Sequence, residues 1–80
     1  MKALIMVKDI VSVSYATKGW TDHLTIQLIN DTILRESCYH YEESMRQIDK
    51  CKKMKEAYDK IVKAVKNKEG YVEINTGEEL

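Results

Sequence analysis

The chain has 80 residues, with 13 basic and 13 acidic side chains and no formal net charge. A domain of this length buries only about 60% of the surface of its unfolded chain, so a deep substrate cavity would leave too little core. Balanced charge excludes an overall attraction to nucleic acid or membrane. The hydrophobic fraction of 44% excludes an intrinsically disordered chain. We therefore expect a single domain, residues 1–80, that acts through its surface.

The amino-terminal segment and the cysteines predict the compartment. The apolar run of residues 3–7 is shorter than the core of a secretory signal and is closed by Lys8 and Asp9. No other apolar run in the sequence is long enough to span a membrane. With two cysteines and no secretory segment, we expect Cys38 and Cys51 to be reduced thiols in a soluble, cytoplasmic protein.

Residues 3–40 show the alternation of apolar and polar side chains that is typical of half-buried β-strands. Strands are predicted at residues 10–15, 24–28 and 32–39, with a short strand or lead-in at residues 4–7. A turn is predicted at residues 18–22, where Gly19 supplies backbone freedom. Asn30-Asp31 is the expected hairpin tip, because both residues tolerate left-handed conformations.

The register of this last hairpin stays open. A two-residue loop at its tip would place Ile26 opposite Arg35, and a three-residue loop would place it opposite Glu36. Either register puts a charged residue beside an apolar one on the same face. A bulge or an early end of the core would resolve the conflict.

A helix is predicted over residues 42–68. Ser44, with Gln47 three positions later, matches a capping box, and Gly70 is the expected terminator. Apolar residues recur along one face at spacings of three and four, at Cys51, Met54, Tyr58, Ile61 and Val65. At about 1.5 Å per residue the helix would be roughly 40 Å long, longer than a small sheet is wide. We therefore expect an association seam, defined as Met54, Tyr58, Ile61 and Val65, that docks a second copy or a partner.

Residues 71–75 are rich in strand formers and predict a final strand that returns to the sheet. The predicted fold class is therefore α+β: a small, mostly antiparallel sheet of three to four strands, one long amphipathic helix packed on it, and a short C-terminal strand.

The helix is rich in lysine. Between Arg46 and Lys68 there are nine basic residues against three acidic ones. Such a surface can bind phosphates or an acidic partner, and the candidate contacts are Lys52, Lys53, Lys60 and Lys63. Sequence-specific binding of bases would need arginines that form bidentate hydrogen bonds and aromatic residues that stack on the bases. Neither is interleaved with these lysines. Charge alone predicts only non-specific binding of nucleic acid.

The sequence has no motif for catalysis or cofactor binding. Cys38 and His40 share one face of a strand, but zinc sites are built from paired close spacings and this chain has only one. The same two residues lack the orienting acid of a catalytic triad. The three glycines stand apart, so they form no phosphate-binding loop. We therefore expect no catalytic residue, no metal and no cofactor, and we expect the protein not to be an enzyme.

Three aromatic residues near loop ends, Trp20, Tyr15 and Tyr39, are candidate contacts to a partner, since such side chains bury a large area and keep a polar tip. The alternative is that the tyrosines replace the missing phenylalanine in the core. Trp20 follows Gly19 in a charged turn, where core packing explains it less well. It is our main candidate anchor.

In size, charge balance and lack of catalytic residues the chain resembles the short proteins of phages and mobile elements, a resemblance of composition only. Such proteins often bind and block a host machine, including CRISPR effectors. The resemblance implies a viral inhibitor or regulator in the host cytoplasm. From the residues, we expect a non-catalytic binding protein that acts through protein–protein contact. The alternatives are nucleic-acid or nucleotide-phosphate binding through the lysine-rich helix, and a homodimeric structural subunit.

Overall fold

The computed structural model describes residues 1–39 and 45–77, except for the side chain of Arg46. In chain order the described elements are β1 (Lys2–Met6), β2 (Ile10–Lys18), β3 (Thr21–Leu28), β4 (Ile33–Tyr39), the helix α1 (Met45–Lys66) and β5 (Tyr71–Asn75). Single 3₁₀ turns at Val7–Asp9 and Ile29–Asp31 join β1 to β2 and β3 to β4. The predicted α+β class is confirmed.

Strands β2, β3 and β4 form an antiparallel three-stranded sheet in that order. The two-residue loop Gly19–Trp20 joins β2 to β3, and Gly19 has a φ of 63°, which glycine adopts without strain. On the inner face Leu24 and Ile26 are completely buried, whereas the alternate residues of β3 stay partly exposed. The predicted alternation therefore defines the face that packs on the core.

The β3–β4 hairpin adopts neither of the two registers weighed from the sequence. Its loop is Ile29–Asp31, whose last two residues have φ values of 68° and 63°, so the expected left-handed tip is confirmed. This loop places Ile26 opposite Leu34, and it places Glu36 opposite Leu24 on the inner face. A charged residue therefore still lies beside an apolar one. The Glu36 carboxylate is stabilised there by the polar partners described below.

Helix α1 has 22 residues, Met45–Lys66, which makes it about 33 Å long. The predicted start at residues 42–44, with its Ser44 cap, lies outside the described residues. The prediction that Gly70 ends the helix is wrong. Lys68, with a φ of 56°, takes the left-handed position, its N–H donates to the Val65 carbonyl, and the Glu69 N–H donates to the Ala64 carbonyl. These two bonds form a Schellman motif.

Strand β5 does not return to the three-stranded sheet, contrary to the prediction. It pairs antiparallel with β1 in a separate two-stranded sheet, the ribbon, with a register that runs from Lys2–Asn75 to Met6–Tyr71. The α1 helix contacts both sheets. The core therefore takes side chains from the three-stranded sheet, the ribbon and the helix: Ile5, Leu24, Ile26, Cys38, Cys51, Met54, Ala57, Ile61, Ala64, Val72 and Ile74.

Candidate functional site

The association seam is mostly core. Met54 and Ile61 have no exposed surface, and Tyr58 is half-buried. Only Val65, 42% exposed near the end of α1, faces solvent to a large extent. The seam faces the core because α1 packs against strands of both sheets. A dimer through this face would require the domain to open.

The candidate lysines do not form one strip. Lys52, Glu56, Asp59 and Lys63 recur at spacings of four, three and four, so they share the outward face of α1 and place an acid one turn from each lysine. Lys53 binds Asp49, with 3.5 Å between its ammonium nitrogen and the carboxylate. The positive charge of the helix is therefore interrupted by acids.

Lys60 lies on a different side of the helix from Lys52. It lines two adjoining shallow grooves beside β5, of about 510 and 450 Å³, and it shares both grooves with Glu73. Lys63 lines the second groove only. The four lysines named from the sequence are thus divided between the outward face and the flank beside the ribbon.

Tyr15 is part of the packing between sheet and helix. Its hydroxyl donates to Asp22 at 2.6 Å, and its ring centre lies 5.8 Å from that of Tyr58. The Lys55 ammonium lies 5.3 and 5.5 Å from the two ring centres, within the range of cation–π contacts. Burial raises the pKa of Tyr15 above its ordinary value, and the hydrogen bond to Asp22 and the charge of Asp22 raise it further. These contacts assign Tyr15 a structural role.

Trp20 and Tyr39 lie at one end of the domain, which we call the Trp20 end and define as Trp20, Tyr39, Met45 and Ile48. Thr21 pairs with Tyr39, whose N–H donates to the Gln47 side-chain oxygen at 3.1 Å, so the β2–β3 turn, the end of β4 and the start of α1 meet here. The four apolar side chains are 64%, 48%, 76% and 45% exposed, respectively. The structure thus brings two of the three predicted aromatic contacts together.

The expectation of reduced thiols is overturned. Cys38 on β4 and Cys51 on α1 form a disulfide, with Cα atoms 5.6 Å apart, a separation typical of such bonds. Both side chains are buried. Cys38 is an inward residue of its strand and Cys51 belongs to the apolar face of α1, so this packing brings their sulfur atoms together. The bond fixes the first half of α1 onto β4.

Asp22 lies beside the disulfide, opposite Cys38 in the sheet. One ligand atom each from Asp22, Cys38 and Cys51 lies within 4.8 Å of the others, a cluster of the kind that can hold a metal ion. While the sulfur atoms are bonded to each other, they offer no thiolate to a metal. His23 is on the opposite face, 2.9 Å from the Ser37 hydroxyl, and His40 lies outside the described residues.

Glu36 is the centre of a polar network that the sequence did not predict. The N-terminal ammonium lies 3.2 Å from one carboxylate oxygen and the Lys50 ammonium 3.6 Å from the other. The Thr76 hydroxyl donates to Glu36 at 2.9 Å and accepts from the N-terminal ammonium at 2.8 Å. Burial raises the pKa of Glu36, but the bonds from Thr76 and the ammonium, together with the charges of the ammonium and Lys50, lower it below its ordinary value. The network joins β4 and α1 to the end of the ribbon where Met1 and Thr76 are paired.

Comparison with protein-family models, curated proteins and solved structures found no match. Within the described ranges, the structure contains no helix with the length and apolar character needed to cross a membrane. What the chain does has to be inferred from its geometry.

Proposed function

We propose that the chain is a non-catalytic binding protein that acts through protein–protein contact, with the Trp20 end as its contact surface. The observation that carries the proposal is the 64% exposure of Trp20 at the tip of a tight hairpin turn. Tryptophan is enriched among the residues that dominate binding energy at protein interfaces. Contact of this kind suits a small inhibitor or regulator of a larger complex.

The setting of Trp20 supports an anchoring role. The Lys18–Thr21 pair closes the two-residue loop, which limits the motion of the turn. Tyr39, Met45 and Ile48 add exposed apolar surface at the same end. Tryptophan has only two side-chain torsion angles, so it loses little conformational entropy when a partner covers it.

The lysines give less support to binding of nucleic acid. A phosphate backbone is bound by cations that follow its track, whereas the outward lysines of α1 alternate with Glu56 and Asp59. Non-specific binding through the helix is therefore the alternative outcome of the experiment.

The test begins with a pull-down from lysate, with and without nuclease, to obtain a partner. Binding of that partner is then measured for Trp20→Ala and for a variant with Lys52, Lys53, Lys60 and Lys63 all changed to Ala. We expect Trp20→Ala to cost about 2 kcal/mol or more, as central aromatic anchors do. We expect the lysine variant to bind nearly as well as the original chain.

Val11→Ala is the matched control, because Val11 is 58% exposed at the opposite end of β2. It should leave binding unchanged. Recovery of nucleic acid, a steep loss of affinity with added salt and an unaffected Trp20→Ala variant would together overturn the proposal in favour of phosphate binding.

A further inference from the structure

One edge of strand β5 faces away from β1, and no other described strand pairs with this outer edge. The Thr76 N–H donates to the Met1 carbonyl, and the Val7 N–H donates to the Gly70 carbonyl. These two bonds show which residues of the ribbon form hydrogen-bonded pairs. In an antiparallel pair the bonded residues alternate, so the backbone groups of Val72 and Ile74, like those of the flanking Gly70 and Thr76, point toward β1. The N–H and carbonyl groups of Tyr71, Glu73 and Asn75 therefore point away from β1.

Among the described residues, no backbone hydrogen bond reaches these three positions from another element. A strand edge of this kind is a template for a further strand, and natural proteins usually cover or block it. Several peptide-binding domains use such an edge to bind an extended segment.

Space for a further strand lies beside this edge. The groove of about 450 Å³ is lined by Lys60 and Lys63 of α1 and by residues 69–73, and no residue of β1 contributes to it. It therefore lies on the side of β5 that faces away from β1, between the strand and the helix. The adjoining groove of about 510 Å³ is lined by Lys2, Ala3 and Leu4 of β1 as well as by residues of β5, so it includes both strands of the ribbon and is not part of this edge.

The charges along the groove indicate what it binds. Lys60 and Lys63 form one wall, and neither makes an ion pair with any residue in the described part of the chain. Two acids also line the groove: Glu73 projects from the outer face of β5, and Glu69 lies two residues before the strand begins. An added strand with acidic side chains toward the two lysines and neutral side chains beside Glu69 and Glu73 would complement all four charges.

We propose that the outer edge of β5 binds an extended acidic segment of a partner protein as an added antiparallel strand. The backbone of that segment pairs with Tyr71, Glu73 and Asn75, and its carboxylates meet Lys60 and Lys63. This site is distinct from the Trp20 end and does not depend on it. A second copy of the chain is a poor occupant, because the antiparallel register that pairs all of β5 with itself places Glu73 opposite Glu73, and like charges directly opposed destabilise a sheet.

The test uses fluorescence anisotropy with three labelled seven-residue peptides and the intact chain. The first alternates Val and Glu, the second replaces each Glu with Lys, and the third keeps Glu but carries N-methyl groups on the amides that would face β5. We expect the first peptide to bind, and the other two to bind about tenfold more weakly or worse, because one lacks complementary charge and the other lacks backbone donors. Equal binding of the methylated peptide would overturn strand addition, and failure of the first peptide to bind would overturn the site.

Two double variants of equal net charge locate the site. Lys60→Ala with Lys63→Ala should weaken binding of the Val–Glu peptide roughly fivefold, as expected from the loss of two exposed charge pairs. Lys52→Ala with Lys66→Ala should weaken it less than about twofold, because neither lysine lines the groove. An equal effect of the two double variants would overturn the assignment. Trp20→Ala should leave peptide binding unchanged, so this proposal and the proposed function can fail separately.

Discussion

The two sheets of the domain are assembled in different ways. The three-stranded sheet is local in sequence, because its strands follow one another through loops of two and three residues. The ribbon instead pairs the first strand with the last, so that Lys2 lies opposite Asn75. Loop closure costs more entropy as the intervening chain lengthens. The local sheet can be specified by its own alternation, whereas the ribbon depends on ties to the rest of the chain.

The described residues show three such ties. The Cys38–Cys51 disulfide fixes α1 to β4, and the helix then covers the inner face of the ribbon. Glu36 binds Thr76 and the N-terminal ammonium at the end of the ribbon where β1 begins and β5 ends. The left-handed residue Lys68 ends the helix and directs the chain into β5. If the ribbon depends on these ties and the three-stranded sheet does not, loss of any tie should loosen the ribbon more than the sheet.

Removal of the disulfide should have the largest effect. The cross-link has a sequence separation of 13, and closing a loop of about 15 residues stabilises a fold by roughly 3 kcal/mol. We expect Cys38→Ala with Cys51→Ala to lower the free energy of unfolding by about this amount in urea denaturation. Hydrogen exchange should rise more at Ile5 and Val72 of the ribbon than at Ile26.

A reductant provides the matched control for the cross-link. It should lower the melting temperature of the original chain and leave that of the double-alanine variant unchanged, because only the former has a bond to reduce. An original chain that melts identically with and without reductant would restore the expectation of reduced thiols drawn from the sequence.

Loss of the Glu36 charge should have an intermediate effect. Glu36→Gln keeps the shape of the side chain but weakens its interactions with the N-terminal ammonium and Lys50. We expect it to cost roughly 1–3 kcal/mol at neutral pH, as hydrogen bonds to charged groups do. Glu73→Gln, on the exposed face of β5, is the matched control and should change stability little.

The pH dependence follows from the sign of the pKa shift. The pKa of Glu36 is lower in the folded chain than its ordinary value of 4.5, so the unfolded chain takes up this proton first. The contribution of Glu36 is complete above pH 4.5 and is lost as pH falls through its folded pKa. The difference in stability between the original chain and Glu36→Gln should therefore shrink in acid. A constant difference across the acidic range would show that the charge of Glu36 does not stabilise the ribbon.

The sequence predicted those parts of the fold that leave a periodic pattern. Alternation at Leu24 and Ile26 indicated the inner face of β3, and the apolar spacing that includes Met54 and Ile61 indicated a helix. The partner of β5 could not be predicted in this way, because an alternating strand looks the same whichever distant strand it pairs with. Neither of the weighed registers was adopted, since the loop has an extra residue before Asn30.

The candidate site residues also differ in how far the sequence could predict them. The exposure of Trp20 could be predicted from its turn. The position of Tyr15 in the sequence did not show whether its side chain packs on the core or faces solvent. The disulfide left a usable signal, because Cys38 and Cys51 both occupy inward positions. The expected cytoplasmic compartment favoured reduced thiols instead. Glu36 left only a partial signal, because each register considered from the sequence placed a charged residue on the apolar face, Arg35 in one and Glu36 in the other.

The end of the helix should give the smallest effect, and one of opposite sign. Lys68 has a φ of 56° in the Schellman motif, where glycine avoids a penalty of about 1–2 kcal/mol for left-handed backbone. Greater freedom of glycine in the unfolded chain offsets part of this gain, by roughly 0.4–1 kcal/mol. We therefore expect Lys68→Gly to stabilise the domain by about 0.5–1 kcal/mol in urea denaturation. Lys66→Gly removes the same charge at the last residue of α1 and is the matched control. It should destabilise the domain, by about 1 kcal/mol at most, because glycine is a poor helix former. If both substitutions destabilise the domain equally, Lys68 does not take up the left-handed position in solution, and the tie between helix and ribbon is made elsewhere.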